Sequence, residues 1–319
     1  MLNRGFYLCK IFGIPIRADL SVFILVAFIL FFWKDLPLAL RYCVALGLLF
    51  SIVWHELAHS LTAMAFGGKV NNITLQLMGG CAYISEMPRK AWQEWLMALA
   101  GPISSFVLLG IFYIVSFHVP AGEVVKIRQP NNEIVAVLRG SLFQPLFINL
   151  AGINFMLGVF NLLPAFPMDG GRILRSTLQG VMSKVRATWI ATRIGRAIAV
   201  VFILSGIVNL ILETMGYRLN IPSTNWFVLD LVIVLLTRGS FIKIIIGFSI
   251  FQSAQMEYRM VLAQEASERQ NRGFGGGYNP FRGNPFTPPP PPPDDDSAFI
   301  SPPPYRKDKP DRVDIHRKD

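Results

Sequence analysis

Apolar residues in this chain come in long, nearly uninterrupted runs, not in the stripe at every third or fourth position that marks a surface helix. Runs near 20 residues are long enough for a helix to cross the hydrocarbon core of a bilayer. The pattern therefore predicts an all-α polytopic membrane protein with about six transmembrane helices. The predicted spans are Ile14–Trp33, Leu38–Phe66, Trp95–Val119, Leu142–Ala165, Ala197–Leu212 and Trp226–Ile250.

The first and the last of these spans carry flanking or internal charges. The first follows a basic stretch, but no small-residue cleavage site comes after it, so we expect a retained span and not a removed signal peptide. The last contains Asp230, Arg238 and Lys243. A short span followed by an amphipathic segment at the membrane surface is an alternative for this region.

Residues 70–85 follow a different pattern, in which β-branched and apolar residues stand among polar ones on either side of Gly79 and Gly80. This pattern predicts a small β-hairpin. Extended backbone at membrane depth is stable only where protein or a water-filled cavity covers it. We therefore expect the hairpin to lie at the cytoplasmic edge of the membrane domain, against protein or such a cavity.

The composition changes after about residue 252 to polar residues, glycines and a proline run at Pro288–Pro293. Such a segment cannot bury a core. We therefore predict a membrane domain over residues 1–252 and a disordered cytoplasmic tail over residues 253–319. Pro302–Tyr305 matches a short pattern read by aromatic-grooved domains, so a partner that binds the tail is an alternative to a solvated tail.

The charge and cysteine patterns fit a protein of the cell (inner) membrane. The net charge is +10, but the Lys and Arg residues lie in loops and in the tail, without a basic face that aromatic residues interleave, so we expect no nucleic-acid partner. Their distribution places the N-terminus, the loops after spans two and four and the tail in the cytoplasm. Cys9, Cys43 and Cys81 lack metal-ligand spacing and are expected to be reduced.

The segment His55-Glu56-Leu57-Ala58-His59 lies inside the second predicted span. An ionisable group inside a bilayer costs about 2.5–3.5 kcal/mol or more, and a bound metal would offset that cost. Positions i and i+4 share one face of a helix, so His55 and His59 can bind the same ion with Glu56 beside them. The segment therefore predicts a zinc site with an adjacent base.

A catalytic zinc usually takes three protein ligands, so one more donor is needed. The candidates are His118, Glu94, Asp230 and Asp169. We favour Asp169, because residues 161–171 contain two prolines and two glycines that break the helix near the same side of the membrane as His59.

Three motifs in this order resemble the site-2 protease family of intramembrane zinc metalloproteases: residues 55–59, Ala100-Gly101-Pro102, and Asn161–Arg172. The resemblance covers spans two to four. It implies one catalytic Zn²⁺ held by His55, His59 and Asp169, with Glu56 as the catalytic base and Asn161 in a transition-state or substrate contact. The loop over residues 121–139 is too short for a PDZ domain, and the tail takes the place of CBS domains, which is typical of a minimal six-span type.

The resemblance implies a zinc metalloendopeptidase that hydrolyses a peptide bond within or near the transmembrane segment of a membrane protein, as in regulated intramembrane proteolysis. A single-span membrane protein would be the substrate. We expect the predicted hairpin at the cytoplasmic edge of the active site, with Gly79 and Gly80 in a substrate-docking strand. A metal-binding transporter is an alternative, but it would need liganding groups along a route through the membrane, whereas these lie at one depth. An inactive protease-like scaffold is another alternative, against which the intact Glu56 argues.

Overall fold

Four helices are long and apolar enough to cross a membrane among the residues that the structure describes. The structure is a computed structural model that describes residues 5–32, 36–76, 79–86, 90–128, 134–217 and 240–273. The four helices are α2 (Leu38–Ala65), α3 (Ala91–Ser116), α4 (Phe143–Asn161) and α6 (Lys184–Thr214). The remaining helices are α1 (Ser21–Phe32), α5 (Asp169–Leu178) and α7 (Ser240–Gly273). The chain is thus mostly helical and has the helices of a multi-pass membrane protein.

The first predicted span, Ile14–Trp33, is not one continuous helix. Strand β2 (Ile14–Ala18) takes its first five residues, and α1 follows with 12 residues. The Asp19 carboxylate accepts a hydrogen bond of 2.9 Å from the Ser21 N–H and so begins the helix. At 1.5 Å per residue α1 is about 18 Å long, which is shorter than the roughly 30 Å core of a bilayer.

The boundaries at the C-terminal end also differ from the prediction. Helix α6 begins at Lys184, not near Ala197, because its arginine-rich first turns continue the apolar part without a break. Helix α7 continues to Gly273, so residues 253–273, predicted as the start of the disordered tail, are helical. Most of the predicted last span, and the tail from residue 274, lie outside the described residues.

A four-stranded sheet has the strand order β1-β2-β3-β4. Its strands are β1 (Phe6–Ile11), β2, β3 (Lys69–Gln76) and β4 (Gly79–Glu86). The hairpin predicted over residues 70–85 is therefore present as β3 and β4. Its partner strand was not predicted: β2 pairs with β3 in parallel, with Ile16 opposite Ile73. Strand β4 is at the edge of the sheet and has no second strand partner among the described residues.

The sheet packs against the part of α2 that carries the His55–His59 segment. One buried cluster joins Ile14, Ile16 and Ile73 of the sheet to Leu57 of α2. A second joins Ala18 and Leu75 to Ile52 and to Val22 of α1. Because both clusters flank His55 along α2, the sheet is fixed beside the histidines, and β4 is brought next to Glu56.

Two further parts complete the described fold. The loop over residues 121–139, predicted as a short connection, forms the hairpin of β5 (Gly122–Arg128) and β6 (Ile134–Gly140). The segment between α4 and α5 packs into a small core with α6 and α7, in which Ala165 contacts Ala199 and Ile250. That packing fixes the chain immediately before Asp169.

Candidate metal centre

Three predicted ligands meet in the interior of the protein. His55 and His59 lie one turn apart on α2, and Asp169 is the first residue of α5. The Asp169 Oδ2 atom lies 3.1 Å from the Nε2 atom of each imidazole, and the two Nε2 atoms lie 3.2 Å apart. The side chains are buried, with 3, 5 and 7% of the surface of the three residues exposed.

These distances suit one tetrahedral zinc ion. Donors about 2.0–2.1 Å from a zinc ion lie about 3.3 Å from each other, because the edge of a tetrahedron is about 1.6 times its radius. Two imidazoles and one carboxylate are also a donor set that catalytic zinc sites use, with the fourth position left open. The chain therefore provides a site for one zinc ion without rearrangement of His55, His59 or Asp169.

The outer nitrogen of each imidazole is held by helix α3. The Nδ1–H of His59 donates to the Met97 carbonyl oxygen at 2.6 Å, and the Nδ1–H of His55 is 2.9 Å from the Ser105 hydroxyl oxygen. Hydrogen bonds of this kind fix the tautomer in which Nε2 is free to bind a metal. Helix α3 thus aims both imidazoles at the position between them and Asp169.

Gly101 lets α3 approach the histidines. A Cβ atom at this position would overlap the His59 ring and lie 2.6 Å from the His55 Nε2 atom. Gly101 belongs to the Ala100-Gly101-Pro102 segment, and Pro102 is tolerated inside the helix. Gly101 therefore leaves free the space next to the two Nε2 atoms, which a larger residue would fill.

Arg175 anchors the helix that carries Asp169. Arg175 is buried, with 4% of its surface exposed. Its guanidinium donates hydrogen bonds to the Glu94 carboxylate of α3 and to the Glu257 carboxylate of α7. It also lies 5.1 Å from the centre of the Phe166 ring. Glu94, one of the four candidate third ligands, is thus engaged with Arg175 and is not beside the histidines.

The charge state of Asp169 is set by two opposing effects. Burial favours the protonated carboxyl and would raise its pKa. When no metal is bound and the histidines are protonated at Nε2, the charge of His59 and the hydrogen bonds from both histidines outweigh burial and hold the pKa of Asp169 well below its usual range. Asp169 is therefore an anion, the form that binds a metal.

A cavity of about 370 Å³ opens on the other side of the donors. Glu56, His59 and Asp169 line it from the helices, and Gly80 and Cys81 line it from β4. A Cβ atom at Gly80 would overlap the Glu56 side chain, so this glycine leaves the space that Glu56 occupies. A half-buried carboxylate beside the metal centre is thus open to a bound molecule.

The structure separates other predicted residues from this cavity. Asn161 ends α4, and its side-chain amide donates to the Leu157 carbonyl oxygen at 2.9 Å instead of lining the cavity. His118 is exposed just after the C-terminal end of α3, and its Nδ1 atom is hydrogen-bonded to the Ile114 carbonyl oxygen. Gly79 begins β4 but is not in the cavity wall, and Asp230 lies outside the described residues.

Several contributors were not predicted from the sequence. Ser105 and the Met97 carbonyl act from another helix, and no local pattern marks them. Arg172, which also lines the cavity, had a signal, because it follows Asp169 by three residues and so shares its helix face.

Membrane-spanning helices around a buried cluster of two histidines and an aspartate define a multi-pass membrane protein with a metal centre. The family model of peptidase family M50 matches residues 43–202, half of the 319-residue chain. The chain belongs to peptidase family M50.

Two similar proteins come from Methanocaldococcus jannaschii. The chain is 35% identical to zinc metalloprotease MJ0392 over 210 residues, which cover 66% of this chain and 56% of that protein. It is 28% identical to a solved site-2 protease, with a TM-score of 0.50 over 80% of this chain and 95% of that one. The chain spans 43–63% of the length of three curated relatives that it matches. The fold is therefore that of a site-2 protease.

Proposed function

We propose that this chain is an intramembrane zinc metalloprotease that hydrolyses a peptide bond within or near the transmembrane segment of a membrane protein. The observation that carries the proposal is the meeting of His55, His59 and Asp169 next to a cavity in which the Glu56 carboxylate is available. A site that only stored or passed a metal would not need a half-buried base beside it. Membership of family M50 supports the same function.

In this proposal His55, His59 and Asp169 hold the ion, and Glu56 moves protons. Zinc, when bound, acts as a Lewis acid that makes hydrolysis feasible near neutral pH. Glu56 accepts a proton from the attacking water and then donates it to the amine nitrogen of the departing segment. The hydrogen bonds between the imidazoles and α3 keep both rings in place while this occurs.

The edge strand β4 is the proposed docking site for the substrate. A transmembrane helix hides its peptide carbonyls in internal hydrogen bonds, so it must unwind before attack. One edge of β4 has no strand partner among the described residues, and Gly80 and Cys81 of this strand line the cavity. An unwound substrate can add to this edge as a further strand and regain backbone hydrogen bonds there.

The cellular setting follows from the same proposal. A single-span protein of the cell (inner) membrane is the proposed substrate, cut in regulated intramembrane proteolysis. The N-terminus and the tail would face the cytoplasm, since the basic loops favour that side. The proposed catalytic domain covers residues 1–252, with α7 extending beyond it to Gly273.

The test is cleavage of a panel of single-span membrane peptides by detergent-purified protein, with Glu56→Gln as the paired variant and zinc measured in both. We expect cleavage by the unaltered protein, none by Glu56→Gln, and one zinc ion per chain in each. Absence of zinc from both proteins would overturn the metal centre. Equal cleavage by both would remove Glu56 from the mechanism.

Docking on β4 is tested separately with proline at Cys81 and, in a second variant, at Ala82. Neighbouring residues of a strand point their N–H groups to opposite sides, so one of the two prolines removes an N–H from the free edge. We expect that variant to retain zinc and to lose cleavage. Unchanged cleavage in both would exclude docking through this edge.

A further inference from the structure

Arg172 lies in the wall of the cavity in which, by the proposed function, the peptide bond to be cut would be bound. It follows Asp169 by three residues on α5, so the two side chains share a helix face. It lines the same cavity as Glu56 and Asp169, and it is the only lysine or arginine among the described residues that form the cavity wall. Arg172 thus lies in the same cavity wall as the base and a metal ligand.

The guanidinium of Arg172 is not committed to a structural partner. Its side chain makes no hydrogen bond or ion pair with any residue in the described part of the chain. Arg175, one turn later, has the opposite environment, since it is buried and bound to Glu94 and Glu257. One arginine of α5 is therefore structural, and the other is open to a ligand.

The positive charge of Arg172 acts on a residue of β4. This residue is Cys81, which is exposed and lines the same cavity. Partial loss of hydration there and the negative charge of Glu56 raise the pKa of its thiol, whereas Arg172 lowers it. A negative charge that forms between α5 and β4 would therefore lie within the field of Arg172.

Hydrolysis produces such a charge. As the oxygen of water bonds to the carbonyl carbon, one proton passes to Glu56 and the π electron pair of the C=O bond moves onto the carbonyl oxygen. Re-formation of the C=O bond then breaks the C–N bond. The amine nitrogen takes the proton from Glu56, and the new carboxylic acid ionises. Asn161, which the family resemblance brings close to the catalytic centre, is bound to its own helix.

We propose that Arg172 is a catalytic residue whose guanidinium stabilises the negative charge on the carbonyl oxygen of the peptide bond that is cut. The proposal rests on the proposed protease function and adds a residue to it. A donor of this kind acts only as the charge develops, so its loss lowers kcat by about 10²–10³ and leaves KM nearly unchanged.

The first experiment compares Arg172→Leu, Arg172→Lys and Arg193→Leu in the zinc-loaded full-length protein. Arg193 is the matched control, because it is an exposed arginine that stacks 4.7 Å over Trp189 on α6. We expect Arg172→Leu to keep one zinc ion per chain and KM but to lose about 10²–10³ in kcat. Arg172→Lys should recover part of kcat, and Arg193→Leu should match the unaltered protein.

The second experiment does not depend on cleavage. In a background with Cys9→Ser and Cys43→Ser, the rate at which iodoacetamide alkylates Cys81 is followed against pH. We expect Arg172→Leu to shift the midpoint to higher pH, Arg172→Lys to shift it less, and Arg193→Leu to leave it in place. No shift with Arg172→Leu would mean that the guanidinium does not act inside the cavity.

The outcomes separate this proposal from the one on which it rests. Unchanged kcat in Arg172→Leu, with active unaltered protein, would overturn the catalytic role alone. A higher KM with unchanged kcat would make Arg172 a substrate-binding residue, and loss of zinc would make it a positioning residue for Asp169. If the unaltered zinc-loaded protein cuts no peptide, both proposals fall, even when the Cys81 midpoint shifts.

Discussion

The two sides of the metal centre are built differently. On the α3 side the wall is closed: Gly101 touches the imidazoles, and the Met97 carbonyl and Ser105 hold their outer nitrogens. On the β4 side the wall is open, and a cavity of about 370 Å³ is lined by Glu56 of α2 and by Gly80 and Cys81 of β4. The closed wall has no space for a Cβ atom at Gly101, whereas the open wall borders a cavity.

This difference assigns different tasks to the two walls. On the closed wall, the Ser105 hydroxyl and the backbone of Met97 and Gly101 lie against His55 and His59, so changes there should act on metal affinity. The side chains on the open wall contact the cavity, so changes there should act on turnover while the metal stays bound. Substitutions of similar size on the two walls can test this division.

The largest effect is expected for Gly101→Ala on the closed wall. The added Cβ would overlap the His59 ring, and the imidazoles cannot move aside without breaking the hydrogen bonds to Met97 and Ser105. We expect loss of bound zinc by elemental analysis of the purified protein, and with it loss of all cleavage.

Gly110→Ala is the control for that substitution. Gly110 lies on the same helix, and no heavy atom lies within 4 Å of its added Cβ. Alanine in a helix interior is about 0.5–1 kcal/mol more favourable than glycine, so this variant should keep zinc and be no less stable. Stoichiometric zinc in Gly101→Ala would contradict the closed wall.

On the open wall, Gly80→Ala should act on turnover. The added Cβ meets the Glu56 side chain, which is flexible and can rotate away while β4 keeps its place. A displaced general base costs about 10²–10⁴ in rate, and we expect about a 100-fold lower kcat with zinc retained. Peptide cleavage and zinc content, measured on the same preparation, check this. Loss of zinc would show that the two walls are not independent.

The meeting of His55, His59 and Asp169 could be predicted from the sequence because it depends largely on local geometry. The i, i+4 spacing of His55 and His59 fixes their shared face within one helix. Asp169 follows a segment in which Pro164 and Pro167 keep α4 from continuing, although Gly170 and Gly171, predicted to break the helix, are part of α5. Ser105 and Met97 could not be predicted, because their contacts depend on how α3 is aligned against α2. Met97 contributes only a backbone carbonyl, which any residue there would provide.

The fold could likewise be predicted where it depends on local sequence, and not where it depends on contacts between distant segments. The runs that became α2, α3 and α4 were located because nothing inside them interrupts their length. Ile14 and Ile16 were predicted as part of a helix. A short apolar run looks the same in a buried helix and in a buried strand, so periodicity alone cannot distinguish the two. These residues form a strand because they pair with β3, whose residues near Ile73 are far away in the sequence.

A smaller effect is expected for Ser105→Ala on the closed wall. It removes the hydroxyl beside the His55 Nδ1 atom but adds no bulk. Loss of such an outer contact lowers metal affinity by about 10–100-fold, which competition with a zinc chelator measures. Ser104→Ala is the control, since the Ser104 hydroxyl donates to the Gly101 carbonyl oxygen of its own helix. Equal zinc affinity in both variants would contradict a role for Ser105.

The smallest effect is expected for Asn161→Ala, which lies on neither wall. Its amide is bound to the Leu157 carbonyl oxygen one turn earlier in α4, so the substitution removes one intrahelical hydrogen bond, a loss of about 0.5–1.5 kcal/mol in stability. We expect kcat/KM to change by less than about threefold, equivalent to about 0.6 kcal/mol in the barrier. A 100-fold loss of kcat with zinc retained would mean that Asn161 turns toward the cavity when a substrate binds. The open wall would then extend to the end of α4, and the charge assigned to Arg172 would be shared between the two side chains.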